Sequence, residues 1–275
     1  MQILSLFDGI GCAYQAALRA GLVVEAYDAS EVDKYAIKVA EKNIPIYNNI
    51  ADVKEVSGFP YVYDLLIGGS PCQDLSIAKK GRQGLKGERS SLFWEYVRIL
   101  KEAKPKYFVL ENVASMKKDD RDIITETLGV EPIMINAALV SAQQRKRLFW
   151  TNIPNIDQPE DRGIYLIDIL EDEVDAKYNV NISEKYGLKG YCDNGGKSKS
   201  LTASMYKGYG NDGVTLVNST AKIGNIRKLT PIECERLQGL PDNYTQGLSN
   251  TQRYKCLGNA FNVDVVAHIL KSIKL

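Results

Sequence analysis

The chain has 275 residues, of which 44% are hydrophobic and 25% are charged, and its formal net charge is +1. This length and apolar content suit one large α/β domain, alone or with a smaller insertion, and allow a full hydrophobic core. A net charge near zero excludes a polycation, so any nucleic-acid-binding surface has to be a local patch.

The cysteine and histidine content argues against a disulfide framework and a metal site. The cysteines are odd in number, and no two of them form a CxxC pair: Cys12, Cys72, Cys192, Cys234 and Cys256. We therefore expect a reducing, cytoplasmic location. The single histidine, His268, lies in an apolar C-terminal segment and is interpreted as structural. The N-terminal residues have neither a basic region nor a long apolar stretch, so we expect no signal peptide and no membrane span.

The first half of the chain alternates predicted strands with predicted helices. Such alternation predicts a mainly parallel sheet covered by helices, in which ligands bind beyond the carboxyl ends of the strands. The predicted strands are residues 2–7, 23–27, 45–48, 63–67, 106–110, 133–136 and 148–151, and the predicted helices are residues 12–20, 32–43 and 92–103.

The pattern changes near residue 152. Residues 157–175 are strongly acidic, whereas residues 177–228 contain nine Lys or Arg against three acidic residues and are rich in Gly, Asn, Ser and Tyr. We interpret the basic part as a small, loop-rich second domain, although a solvated surface explains the charge shift equally well. Regular structure resumes at Thr230-Pro231, where Glu233 completes a capping box, and residues 262–273 predict a last helix.

Acidic and glycine residues follow the first three predicted strands. Glycines in Phe7-Asp8-Gly9-Ile10-Gly11 let a ligand approach the backbone at a helix N-terminus, although GxGxxG is absent and an ordinary tight turn is the alternative. Glu31 stands where an acidic residue binds ribose hydroxyls, and Asp52 is a candidate for an adenine amine. For both carboxylates, a surface position is the alternative interpretation.

Cys72 follows the predicted strand 63–67 in a glycine-rich loop. A lone cysteine is more often structural, but nearby cations favour the thiolate of a nucleophile. Glu111 ends the next strand, and neighbouring strands lie roughly 5 Å apart, so a thiol and a carboxyl group can face one substrate. In the segment that leads into the predicted strand 148–151, alternation further predicts Gln143, Arg145 and Arg147 on one side, suited to a phosphate or a polar substrate group, with a solvated strand edge as the alternative.

The order of these motifs resembles the DNA (cytosine-5)-methyltransferase family from residue 4 to residue 269. The motifs run FDGIG, SPCQ, ENV, QQRKR, a variable insert, RKLTPIECERLQGLPDNY and GNAFNVDVV. The segments around Glu31, Cys72 and Glu111 look like the vertebrate de novo type 3 catalytic domains, while the length is similar to bacterial and phage enzymes. The resemblance implies a Rossmann-like S-adenosylmethionine-dependent methyltransferase sheet, formed by residues 1–152 and 251–275, with a target recognition domain at 153–250.

The resemblance also implies residue roles. Cys72 is the nucleophile at cytosine carbon 6, Glu111 acts at ring nitrogen 3 and the exocyclic amine, Arg147 contacts the base, and Arg145 supports the loop or backbone. The cofactor is S-adenosyl-L-methionine, and Asp28 rivals Glu31 for its ribose. The implied cofactor-binding residues are Phe7, Asp8, Gly9, Gly11, Glu31, Val32, Asp52, Val53, Pro71, Asn259 and Ala260.

The implied substrate is a cytosine flipped out of duplex DNA, since a thiol cannot reach a stacked base. The expected setting is the cytoplasm of a bacterial or phage-infected cell, without metal or membrane, and a cognate restriction endonuclease stays open as a second partner. Three alternatives are a transfer-RNA cytosine methyltransferase, a catalytically silent DNA-binding paralogue and a Rossmann-like oxidoreductase. The implied DNA-binding residues are Gln73, Ser76, Lys79, Arg82, Arg89, Lys207 and Arg227.

Overall fold

Seven strands form one sheet, and the computed structural model describes residues 1–50, 52–71, 92–182, 187–209, 214–219 and 226–274. In chain order the strands are β1 (Gln2–Leu6), β2 (Ala26–Ser30), β3 (Tyr47–Asn49), β4 (Leu65–Gly68), β5 (Tyr107–Val113), β6 (Ile133–Asn136) and β7 (Lys146–Thr151). Across the sheet they lie in the order β3-β2-β1-β4-β5-β7-β6. The first five pair in parallel and β7 runs antiparallel to β5, which confirms the predicted α/β class.

The register aligns the carboxyl ends of the central strands. Leu6 pairs with Ser30 of β2 and with Gly68 of β4, and Gly68 in turn pairs with Leu110 of β5. A side chain at position 68 would place its Cβ 2.8 Å from the Leu6 carbonyl oxygen, so the close approach of β4 to β1 requires glycine. The residues that follow these strands therefore meet at one edge of the sheet.

The sheet is flanked by helices whose apolar faces enter the core. They are α1 (Cys12–Arg19), α2 (Lys34–Asn43), α3 (Leu92–Ala103) and α4 (Lys118–Leu128). α3 buries Phe93, Tyr96 and Ile99 in one cluster with residues of β1, β4 and β5, as its apolar periodicity predicts. α4 is absent from the sequence predictions because its surface is mainly polar, although Ile124 is fully buried.

The chain divides into two compact units. Unit 1 contains Met1–Ile135, Lys146–Gln158 and Val266–Leu275, and unit 2 contains Asn136–Arg145 and Pro159–Val265. Residues 136–145 and 251–265 thus cluster with the second unit, whereas the sequence assigned them to the catalytic domain. The functional division at residues 152 and 250 stays a prediction.

The described part of unit 2 contains short elements joined by loops. Two strands, β8 (Leu216–Asn218) and β9 (Ile226–Lys228), pair antiparallel. The helices are α5 (Pro231–Leu237) and α6 (Asn250–Asn259), followed by α7 (Val263–Leu270), which runs on into unit 1. Thr230 caps α5 by accepting a hydrogen bond from the Glu233 N–H, and the Glu233 carboxylate accepts one from the Thr230 N–H, so the predicted capping box is confirmed.

Candidate active site

The turn after β1 has the backbone geometry of a ligand-binding loop. Phe7, Gly9 and Gly11 have φ angles of 55°, 64° and 77°, in the left-handed region that favours glycine. Gly11 is the N-cap of α1 and has no side chain to cap the helix, so the first N–H groups of α1 are not capped by it. A turn of this kind lets a ligand approach the backbone closely at the carboxyl edge of the sheet.

Glu31 joins this turn to the end of β2. Its Oε2 accepts a hydrogen bond from the Gly9 N–H at 2.8 Å, and its Oε1 accepts from the N–H groups of Val32 and Asp33, each at 2.8 Å. The apolar side chain of Val32 beside it is 69% exposed. The structure therefore brings together Gly9, Glu31 and Val32, which the sequence predicted for one cofactor.

Asp28, the rival of Glu31, is occupied by other partners. It is buried, and its carboxylate accepts hydrogen bonds from Asn48 Nδ2 at 2.7 Å and from the hydroxyls of Tyr61 and Tyr63 at 2.6 and 2.5 Å. Burial, followed by the bond to Asp28, raises the pKa of Tyr61 to about 12, so its hydroxyl stays a donor. Glu31 also accepts three hydrogen bonds but is only partly buried, so it is the burial of Asp28 that leads us to interpret it as structural.

Asp8 is a buried carboxyl group with one unsatisfied oxygen. Its Oδ1 accepts hydrogen bonds from Ser5 Oγ at 2.6 Å and from the Tyr27 hydroxyl, while its Oδ2 has no hydrogen-bond partner in the described part of the chain. Burial raises the pKa of Asp8 to about 6, and the nearby Glu31 carboxylate adds to the effect, against the lowering by its two hydrogen bonds. A cationic ligand group would stabilise its ionised form.

The turn after β3 is held by an arginine that the sequence analysis missed. Asp52 Oδ1 accepts a hydrogen bond from the Lys54 N–H at 3.0 Å, and Val53 is buried. Arg98 of α3 donates from Nη2 to the Val53 carbonyl at 3.0 Å and from Nη1 to the Val56 carbonyl at 2.9 Å. Arg98 lies more than forty residues from the backbone groups that it binds, so the sequence around Asp52 gives no indication of this contact.

Glu111 and Arg147 form an ion pair at the carboxyl end of β5. The register places Phe149 opposite Glu111 and Arg147 opposite Val113, so Glu111 and Arg147 are diagonal neighbours on one face. Arg147 Nε lies 2.7 Å from Glu111 Oε1, with 17% and 13% of the two side chains exposed. The structure thus brings together two of the four predicted catalytic residues, within reach of solvent.

The segment that leads to the predicted nucleophile is described as far as Pro71. Ser70 is buried against Asn112 of β5, whose Nδ2 donates to the Ser70 carbonyl at 3.2 Å and to its hydroxyl at 3.1 Å. Residues 72–91 lie outside the described residues. This segment contains the predicted site residues Cys72, Gln73, Ser76, Lys79, Arg82 and Arg89.

Gln143 and Arg145 correct a prediction. They precede β7, which begins at Lys146 and contains Arg147, and both are buried in unit 2. Arg145 Nη2 donates to the Ala260 carbonyl at 2.8 Å and its Nη1 to the Leu201 carbonyl at 3.0 Å. The prediction that these three residues share one side directed at a phosphate or a substrate is therefore wrong, because Gln143 and Arg145 instead form hydrogen bonds with backbone groups. The supporting role expected of Arg145 agrees with these bonds.

The remaining predicted residues of unit 2 differ in exposure. Asn259 and Lys207 are exposed, and Ala260 is buried. Arg227 is fully buried and bonds both carboxylate oxygens of Glu233, at 2.7 and 2.8 Å. The prediction that Arg227 contacts DNA is wrong for this structure, because its guanidinium has no accessible surface.

Neither a metal-binding cluster nor a membrane-spanning helix is present in the described ranges. Within them, no group of three or more His, Cys, Asp or Glu side chains is placed to bind a metal ion. Across the same ranges, no helix is both long enough and apolar enough to span a membrane.

The fold and the site together define a class. A parallel sheet with a glycine turn after β1 and an acidic residue after β2 is a nucleotide-binding Rossmann-like arrangement. The profile described as C-5 cytosine-specific DNA methylase matches residues 1–185 and 171–275. The chain therefore belongs to this family, whose members are enzymes that transfer a methyl group to carbon 5 of cytosine in DNA.

Curated relatives and solved structures agree with this assignment. The type II methyltransferase M1.ScrFI of Lactococcus lactis subsp. cremoris is 31% identical, over 99% of this chain and 77% of the relative. The type II methyltransferase M.NlaX of Neisseria lactamica is 30% identical, over 99% of this chain and 96% of the relative. The Entamoeba histolytica methyltransferase EhMeth shares the fold, with a TM-score of 0.81, 18% identity, and coverage of 99% of this chain and 97% of that structure.

Proposed function

We propose that this enzyme methylates a cytosine flipped out of duplex DNA, with S-adenosyl-L-methionine as methyl donor and Cys72 as nucleophile. The observation that carries the proposal is the ion pair of Glu111 and Arg147 at the same sheet edge as the Phe7–Gly11 turn. An acid, a cation and a nucleotide-type loop are the groups that cytosine methylation needs beside a thiol.

The residues after β1 and β2 fit the donor. A carboxylate has roughly four acceptor positions, and Glu31 uses three of them on backbone N–H groups, which leaves one on Oε2 for a ribose hydroxyl. The unsatisfied Oδ2 of Asp8 is buried, so the charge of this carboxylate is proposed to favour a cationic group of the donor through space rather than by contact. When bound, the donor supplies a methyl group activated by a sulfonium. The other residues proposed to bind it are Phe7, Gly9, Gly11, Val32, Asp52, Val53, Pro71, Asn259 and Ala260.

The proposed reaction passes through a covalent bond between Cys72 and the cytosine ring. The Cys72 thiolate forms a bond to carbon 6, and the electrons of the ring move toward nitrogen 3, where Glu111 supplies or shares a proton. Arg147 contacts the ring carbonyl and keeps Glu111 oriented. Carbon 5, now electron-rich, would form a bond to the methyl group as the methyl–sulfur bond of the sulfonium breaks, which leaves the donor as a neutral thioether. Loss of the carbon 5 proton to water, return of the nitrogen 3 proton to Glu111 and breakage of the bond to Cys72 would then release 5-methylcytosine and the thiolate.

Base flipping costs a few kcal/mol of stacking and pairing, which contacts to the DNA backbone must offset. Lys207 is exposed and is proposed as one such contact. The loop residues Gln73, Ser76, Lys79, Arg82 and Arg89 remain proposed DNA contacts from the sequence alone, and Arg145 is proposed to support the site through the backbone.

The setting proposed for the reaction follows from the relatives. Their names, type II methyltransferases, support a restriction–modification system, with a cognate restriction endonuclease as a partner besides duplex DNA. We place the reaction in the cytoplasm of a bacterial or phage-infected cell.

The proposal is tested with purified protein, methyl-labelled S-adenosyl-L-methionine and unmethylated duplex DNA, with transfer RNA in parallel. Digestion to nucleosides and mass analysis should give labelled 5-methyldeoxycytidine from the wild type and none from Cys72→Ala. Cys192→Ala, which removes a free cysteine of the described residues, is the matched control and should keep activity. Label in RNA but not in DNA would overturn the DNA assignment, and activity of Cys72→Ala would overturn the nucleophile.

A further inference from the structure

The ladder between β4 and β5 stops before the chain reaches the predicted nucleophile. Its last registered pair is Gly68 with Leu110, and β4 ends at Gly68 whereas β5 continues to Val113. Residues 69–71 therefore have no strand pairing to β5, although residue 72 is expected to act on the same base as Glu111. Some other interaction has to fix this segment relative to β5.

The Asn112 side chain continues the pairing where the backbone ladder ends. Ser70 and Asn112 are each two residues beyond the last registered pair. Asn112 is fully buried, and its Nδ2 donates to both the carbonyl and the hydroxyl of Ser70, at 3.2 and 3.1 Å. Its Oδ1 accepts from the Val113 N–H at 2.8 Å, which fixes the orientation of the amide. The donor and acceptor groups of this amide are thus directed to the two strand ends.

The position of Asn112 along β5 separates it from the chemistry. Consecutive residues of a strand point to opposite faces, so Asn112 and its neighbour Glu111 lie on different sides of the sheet. Asn112 cannot act on a base that Glu111 contacts, but its bonds set the distance between the end of β4 and the end of β5. Small errors in such a distance are costly, since a misplacement of about 1 Å can reduce a reaction rate roughly 10²-fold.

We propose that Asn112 is a positioning residue that fixes the Ser70-Pro71 segment, and with it the nucleophile, relative to Glu111. The inference rests on the proposed function, because it takes Cys72 as the nucleophile and Glu111 as the acid. The proposal requires the Asn112 amide to donate hydrogen bonds to Ser70. A side chain of the same shape that cannot donate should therefore not replace asparagine at this position.

The test compares two Asn→Asp substitutions in one strand pair. Asn112→Asp keeps the shape but directs a carboxylate oxygen at the Ser70 carbonyl. Asn152→Asp is the matched control, because Asn152 clamps the other end of β5, donating to the Lys106 carbonyl at 3.0 Å and accepting from the Phe108 N–H at 2.9 Å. We expect kcat for methyl transfer to fall about 10²-fold in Asn112→Asp and less than about threefold in Asn152→Asp. Donor affinity and KM for DNA should change less than about threefold in both.

Two further readouts separate positioning from general damage. Peptide-resolved hydrogen exchange should be faster at residues 69–71 in Asn112→Asp and unchanged in β1 and β2. The activity deficit of Asn112→Asp should shrink as the pH falls from 8 to 6, because a protonated carboxyl regains a donor. If Asn112→Asp does not fold, Ser70→Ala removes one of the two acceptors without a buried charge and should show the same exchange and kcat changes, in weaker form.

The outcomes distinguish this inference from the proposed function. An inactive wild type would refute the proposed function, while faster exchange at residues 69–71 would still support the bond that Asn112 makes. An active wild type with unchanged exchange and kcat in Asn112→Asp would overturn the inference. A deficit that is equal in Asn152→Asp, or that appears in donor affinity rather than kcat, would also overturn it.

Discussion

Two arginine–glutamate pairs with the same closest distance have different surroundings. In unit 1, Arg147 Nε lies 2.7 Å from Glu111, and both side chains keep some exposure. In unit 2, Arg227 Nη2 lies 2.7 Å from Glu233, and neither side chain has any exposed surface. The second pair is bidentate, and Glu233 also accepts from the Thr230 N–H at 2.8 Å.

The difference shows which pair is available to a substrate. A carboxylate whose acceptor positions are all filled by buried donors cannot exchange partners without leaving those donors unsatisfied. Glu233 has no room for a new ligand, whereas Glu111 pairs only with Arg147 within the described part of the chain and lies at the edge where ligands bind. Both pairs join an arginine to a glutamate. The number of hydrogen-bond partners of the glutamate and its exposure to water decide whether the pair can take part in binding or only in stability.

The largest effect is expected at the exposed pair. Glu111→Gln keeps the shape and a bond with Arg147 but removes the acid, so methyl transfer in single turnovers should fall roughly 10²- to 10⁴-fold. The free energy of unfolding should change by less than about 1 kcal/mol, as for other partly exposed pairs. Single-turnover rates and urea unfolding are the measurements. A wild-type rate in Glu111→Gln would show that the carboxyl group of the exposed pair is not needed for methyl transfer.

The buried pair should show the opposite pattern. Arg227→Met leaves the Glu233 carboxylate buried without its cation, which typically costs about 3–5 kcal/mol of unfolding free energy. Urea unfolding measures the loss, and Arg236→Lys, in the more exposed pair with Asp242, is the control with an expected loss below about 1 kcal/mol. A loss in Arg227→Met no larger than this control would mean that burial does not separate the two pairs.

The sequence predicts the sheet better than the environment of its charged side chains. Apolar strands alternating with amphipathic helices indicate the parallel core, and acidic residues after strands indicate the ligand edge. Which acidic residue remains accessible to a ligand is not local information. Asp28 is occupied by Tyr61 and Tyr63, more than thirty residues away, and no pattern around Glu31 shows this.

The basic insert shows the same limit. Lys207 and Arg227 look equivalent in a segment rich in Lys and Arg, but only Arg227 is buried. A local signal existed, since Glu233 lies six residues away and already serves the predicted capping box. A glutamate that already caps a helix is buried and charged, so a nearby arginine is a natural partner for it. The role of Asn112 had no such signal, because it depends on where the pairing of β4 with β5 ends, which only the structure shows.

Asp8 extends the comparison to a buried carboxyl group with no arginine. Its folded-state pKa of about 6 lies above the ordinary 3.8, so the folded protein binds the proton more tightly. Its contribution to stability is therefore present below pH 4 and is lost as the pH rises to about 6. Asp8→Asn should raise the unfolding free energy of the donor-free protein by up to about 3 kcal/mol at pH 8, and by little at pH 4.

Urea unfolding of both proteins at the two pH values measures this difference. Donor affinity at pH 8, measured by calorimetry, should fall in Asp8→Asn, since the variant lacks the negative charge proposed to face a cation. Equal stability gains at pH 4 and pH 8 would show that the carboxyl group is not the source, and unchanged donor affinity would remove Asp8 from the cofactor site.

The smallest expected effect concerns Lys207, the exposed counterpart of Arg227. If it contacts a phosphate, Lys207→Ala should weaken DNA binding similarly for all sequences and reduce the slope of log K against log salt by about 1. Lys101→Ala, at an exposed lysine of α3 that no prediction places on DNA, is the control and should leave the slope unchanged. Titrations of duplex DNA at several salt concentrations measure the slopes. Equal slopes in the two variants would mean that exposure alone does not identify a DNA contact, and that the basic insert of this enzyme includes solvated charge as well as buried structural charge.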